Sequence, residues 1–157
     1  MKKTLIITGL LLGVSALFYF AKRQIDQLSS AKFKVRRIRK VETKDGIALI
    51  GYDLEISNES HVKVTMKNLN VDVFSGQNKV GEVRYSNPIK IPAQGTVSIP
   101  LETSINAMAL LKALSGSLKD LLSAKSVSLL FRISVDARLL GVTLNKMTFD
   151  TLKKFEL

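Results

Sequence analysis

The longest apolar run lies at the start of the chain. Thr4 to Ala21 carries no charge over 18 residues and includes Leu5, Ile6, Ile7, Leu10, Leu11, Leu12, Val14, Leu17, Phe18, Tyr19 and Phe20. At about 1.5 Å per residue a helix of this length spans roughly 27 Å, close to the ~30 Å hydrocarbon core of a bilayer. Phe18-Tyr19-Phe20 stand just before Lys22 and Arg23, the order expected where a helix leaves hydrocarbon and meets headgroups. The pattern predicts one transmembrane helix, with residues 1–23 as the anchor. Met1-Lys2-Lys3 also suits a cleaved signal peptide. The best small-x-small site, Val14-Ser15-Ala16, would however strand Leu17 to Phe20 at the new terminus, which favours retention.

Beyond the anchor the period changes. Gln24 to Ala31 is a polar linker that could continue the helix for a turn or two, and Lys32 to Val41 alternates bulky apolar with basic residues, slipping once at Arg36-Arg37. That segment predicts a first strand, so residues 24–44 form a basic linker plus strand. Lys44-Asp45-Gly46 is a hairpin signal. Period-two alternation then recurs over Ile47 to Ser57, Val62 to Met66, Leu69 to Val73, Lys79 to Tyr85 and Thr96 to Thr103. It returns over Ser126 to Arg138 and Val142 to Phe149. Ser75 to Asn78, Ala93 to Gly95 and Leu139 to Gly141 are turns, and the prolines at 88 and 92 mark an irregular edge. One segment breaks the rule: Asn106 to Ala124 spaces Met108, Leu111, Leu114, Leu118, Leu121 and Leu122 by threes and fours, which predicts an amphipathic helix. About seven strands and one inserted helix make a mainly β fold, a β-sandwich over 33–157 with its body at 45–157.

The order of elements resembles the LEA type 2 family, also called the water-stress and hypersensitive-response domain, from Phe33 to Phe149. The likeness rests on Leu54-Glu-Ile-Ser-Asn58, Leu69-Asn-Val-Asp-Val-Phe74, Gly76-Gln-Asn-Lys-Val-Gly81, Val80-Gly81-Glu82, Ile91-Pro-Ala-Gln-Gly95 and Val97-Ser-Ile-Pro-Leu101. Asn58-Glu59-Ser60 keeps the asparagine of the family's Asn-Pro-Asn-like step and lacks its proline. The resemblance implies an immunoglobulin-like or fibronectin-like sandwich without an active site, in a family thought to serve in stress protection or as an interaction module.

Charge changes the picture by its distribution. The formal total is +11, yet Met1 to Lys44 hold 11 Lys or Arg against Asp26 and Glu42, a net of +9, which leaves the rest of the chain at +2. Between Lys22 and Lys44 the net is +7 within 23 residues. Lys22, Arg23, Lys32, Lys34, Arg36, Arg37, Arg39 and Lys40 are therefore the candidate contacts to anionic lipid, each contributing roughly 1 kcal/mol near a charged leaflet. A nucleic-acid contact needs only Lys and Arg as well, but here no aromatic platform accompanies them. A charged edge strand that merely resists aggregation is the bland alternative. The excess of positive charge after the span favours a cytoplasmic domain.

Catalytic chemistry finds little support. With no cysteine, thiol nucleophiles, disulfides and zinc thiolate sites are all excluded. His61 is the single histidine, in a loop, and no phosphate-cradling glycine motif occurs. Asp53 and Glu55 share one strand face, where solvent exposure explains them better than a metal does. The expectation is a non-enzyme without cofactor or metal. Three roles stay open: a membrane-anchored structural or binding module, a minor structural protein of a membrane-containing virus or other large assembly with further protein subunits as partners, and a periplasmic lipid-carrier-like domain.

Overall fold

The computed structural model describes residues 19, 20, 22–24, 26, 27, 31–45, 47–106 and 126–156. Most of the expected span and the helix expected after Asn106 lie outside the described residues. Among the described residues no helix is long and apolar enough to cross a membrane. Residues 19, 20, 22–24, 26 and 27 are helical.

Eight strands follow among the described residues: β1 Lys32–Lys44, β2 Ile47–Ser57, β3 Val64–Ser75, β4 Asn78–Tyr85, β5 Ile89–Ile91, β6 Thr96–Asn106, β7 Ser126–Leu139 and β8 Val142–Glu156. The mainly β reading holds. All pairings are antiparallel, in the order β1-β2-β6-β4-β3-β7-β8, with β5 attached to β3. Hydrogen bonding makes this one continuous sheet where the sequence suggested two. The join between its halves is narrow: β4 and β6 pair only at Gly81↔Ile105 and Glu82↔Ser104. A Cβ on Gly81 would come within 2.8 Å of the Ser104 carbonyl oxygen, so the absent side chain is what lets the two strands meet.

The sheet curls until its first and last strands face each other, and the Phe33 ring on β1 lies 4.4 Å from that of Phe149 on β8. Tyr52 on β2 meets Phe131 on β7 edge-on at 5.3 Å, tying one half to the other through the core. Alternation supplies that core: Leu54 and Ile56, Val64 and Met66, Val71 and Val73, and Ile133 and Val135 are all buried. Tyr52 also hydrogen-bonds Thr103 at 3.0 Å, and burial pushes its hydroxyl pKa up to about 12.

Turn chemistry follows the sequence in most places. The slip at Arg36-Arg37 is a β-bulge, since the register steps from Val35↔Leu54 to Ile38↔Tyr52. The extra residue lets Arg36 and Arg37 both face solvent while Phe33 and Val35 stay buried. Asp45, Gly76 and the pair Leu140-Gly141 take positive φ in two-residue hairpin turns. β6 pairs with β4 no further back than Ser104, so its outer side is open at Pro100, where a missing N–H is tolerated.

Candidate functional site

The strand register sorts the loops into two ends. The turns at Asp45 and Gly76 and the end of β6 lie at one end. The start of β1, the loop from Asn58 to Lys63, the stretch around β5 and the β7–β8 turn lie at the other. The helix that follows the apolar run reaches the second end, called the helix end below.

A buried polar latch organises the helix end. Asn58 donates from Nδ2 to the carbonyl oxygens of Val62 at 2.9 Å and Pro92 at 2.7 Å. Its Oδ1 accepts from the Ser60 amide at 3.0 Å and the Ser60 hydroxyl at 2.6 Å. Backbone bonds from Asn58 to Gly95 and from Gln94 to Ser60 complete the stitch. Every hydrogen-bonding position of the Asn58 amide is thus used, as burial demands. The Asn58-Glu59-Ser60 step and the Ile91-Pro-Ala-Gln-Gly95 turn, remote in sequence, form one unit.

Gln24 extends that unit to the helix. Its side chain is 1 % exposed, and its Oε1 accepts the backbone N–H of His61 at 3.1 Å. Lys32 pairs with Glu59 at 2.6 Å across the same junction. The sequence pattern makes Gln24 part of a polar linker able to continue the helix, and the helix does continue through it. An amide burying itself against a distant loop leaves no periodicity signal, and only the fold reveals it.

The basic residues form a ladder rather than a ring. Lys22 and Arg23 are exposed on the helix, and Lys32, Lys34, Arg36 and Arg37 are exposed along β1. Arg39 and Lys40 lie further along that strand, roughly 26 Å from Lys32 to Lys40 at about 3.3 Å per residue. Arg36 is held by a two-pronged contact to Glu55, at 3.2 and 3.1 Å. Lys63 and Lys90, absent from the sequence-level set, are exposed at the helix end. So is Arg138, and the nearby Asp136 carboxylate accepts hydrogen bonds from the Lys146 amide and Asn68, which hold its pKa below the usual carboxylate range.

Other chemistry is sparse. A cleft of about 770 Å³ opens between β1 and β8, lined by Lys34, Arg36, Arg37, Asp53, Glu55 and Lys153. Its charges are mixed, with Glu55 already engaged by Arg36. His61 contributes its backbone to the latch, and its side chain is exposed. Among the described residues no group of three His, Asp or Glu side chains is placed to hold a metal.

The chain is similar in fold to the solution structure of a candidate late embryogenesis abundant (LEA) protein, at 14 % identity, with a TM-score of 0.54, covering 99 % of this chain and 86 % of that one. A second solution structure, of an Arabidopsis thaliana protein, matches at 8 % identity with a TM-score of 0.51, covering 80 % of this chain and 78 % of that one. The fold is therefore LEA-like. No protein-family model matches the chain, and no curated protein matches it.

Proposed function

We propose that this is a single-pass, membrane-anchored, non-enzymatic module of the LEA type 2 kind, with an immunoglobulin-like or fibronectin-like sandwich as its working body. On this reading the domain serves as a structural or binding element on the cytoplasmic face, and the basic helix end rests on anionic lipid. One observation carries it: Gln24, directly after the basic pair that closes the apolar run, is buried in the domain. A helix docked in this way gives the domain a fixed stance toward whatever surrounds the segment before it.

That stance divides the basic ladder. Screening confines electrostatic attraction to about a Debye length, near 8 Å at physiological salt. With β1 standing away from the bilayer, Lys22, Arg23 and Lys32 fall within reach, joined by Lys63 and Lys90, whereas Arg39 and Lys40 do not. Each residue in range contributes roughly 1 kcal/mol, so a handful suffices to hold the end of the domain down.

The test exploits the cysteine-free sequence. In vesicles carrying the full chain, a donor dye on Ser86→Cys should transfer energy to headgroup acceptors more efficiently in anionic than in neutral bilayers. High salt should erase the difference. Equal transfer in both bilayers would refute the lipid contact.

A further inference from the structure

The β7–β8 hairpin does something a plain turn does not require. Its two turn residues, Leu140 and Gly141, have φ of 49° and 82°. That left-handed geometry is normally met by Asn-Gly or Asp-Gly, because a bulky side chain at the first position crowds its own backbone. Here a leucine occupies it and is 55 % exposed, and Val142 beside it is 45 % exposed. Folding alone favours a small polar residue at such a tip, so two apolar side chains held out in solvent call for a partner surface.

Its position says which surface. Leu139 pairs with Val142 at the end of the ladder where Arg138 pairs with Thr65, which places the tip at the helix end. Of the six large apolar side chains exposed among the described residues, four lie on this tip or on the docked helix: Leu140, Val142, Tyr19 and Phe20. The exposed cations of the same end, counting Lys22, Arg23, Lys32, Lys63, Lys90 and Arg138, number six, against the exposed acids Asp26 and Glu59. Apolar points ringed by a net excess of positive charge, even with Lys32 paired to Glu59, match a bilayer interface with anionic headgroups, where side chains enter the acyl boundary and cations meet phosphate.

We propose that the Leu140–Val142 tip is a second membrane contact, which dips into the interfacial region of the leaflet from which the N-terminal helix emerges. The proposal rests on the anchored reading given above. Two points of attachment, the docked helix and the tip, fix the rotation of the domain about the helix axis. A single anchor would leave that rotation free.

The experiment uses the full chain in anionic vesicles, with an environment-sensitive dye on Leu140→Cys, on Val142→Cys as a second probe of the same tip, or on Gln77→Cys at the opposite end. Both tip probes should emit to the blue of the Gln77 probe and be quenched by lipids spin-labelled near the headgroup. Replacing Lys63, Lys90 and Arg138 together by glutamine should reverse the shift. Tip probes as aqueous as the Gln77 probe, on protein that still sediments with the vesicles, would overturn the tip contact and leave the anchor standing. Protein that fails to sediment would overturn both. A blue shift without quenching by the spin-labelled lipids, together with crosslinking of tip cysteines between chains, would assign the tip to a second copy of the chain and equally overturn the proposal.

Discussion

Replacing Asn58 by alanine lowers the stability of the folded domain by about 2 to 4 kcal/mol, because one buried amide loses its partner at a cost of roughly 1 to 3 kcal/mol and the other hydrogen bonds of the latch are lost at roughly 1 kcal/mol or less each. The Ser60 amide is the group orphaned, while the carbonyls of Pro92 and Val62 each lose one donor and keep another, the Gly95 amide at 3.2 Å and the Ser60 hydroxyl at 2.9 Å. The Ser60 hydroxyl suffers less, since it already lies 2.9 Å from the Val62 carbonyl and can turn to it. The loss reaches beyond stability. The loop that Asn58 holds also presents the His61 amide to Gln24, so the variant loosens the helix from the domain. Denaturant unfolding in micelles checks the magnitude. His61→Ala is the control: its side chain takes no part in the latch, and a change within about 0.5 kcal/mol is expected of an exposed position.

Gly81→Ala is the second severe substitution, with an expected cost of about 2 to 3 kcal/mol from forced overpacking. The obstructing atom is the Ser104 backbone oxygen at 2.8 Å, with Thr103 Cγ2 at 3.0 Å behind it. A backbone atom cannot swing aside as a lysine tip would, so β4 must draw away from β6 at one of the two positions that join the halves of the sheet. Gly76→Ala separates this effect from conformational strain. Gly76 has a φ of 58°, and a methyl group added there would meet nothing within 4 Å, so its cost is the left-handed backbone alone, about 1 to 2 kcal/mol. Midpoints in the order native, Gly76→Ala, Gly81→Ala are expected. A Gly81 variant as stable as the native chain would show that the seam has room to spare.

These two residues mark where sequence reading reaches its limit. Alternation revealed the strands, and the broken alternation at Arg36-Arg37 marked a bulge, because both are local consequences of the two-residue repeat. Asn58 and Gly81 stood out only as members of a resemblance. Their reasons became visible once the fold brought Pro92 to Asn58 and Ser104 to Gly81, contacts separated by 34 and 23 positions. Period-two patterning also cannot distinguish two sheets from one sheet curled on itself, since it reports which side of a strand is buried and not which strand lies beside it.

The candidate site was legible in composition and not in shape. Lys22 to Lys44 announced itself by charge, but a strand distributes charge along its length, which sets Arg39 and Lys40 apart from Lys32. Lys63, Lys90 and Arg138 come from three different segments and join the helix end through pairing alone. Gln24 gave no signal, because one buried amide in a polar stretch looks like its neighbours.

The central claim is that the segment before Gln24 holds the domain on a membrane. Alkaline carbonate extraction of membranes from cells making the full chain tests it most directly. The protein should remain in the membrane pellet, and a variant lacking residues 1–21 should move to the supernatant. Full-length protein released into the carbonate supernatant would contradict the account.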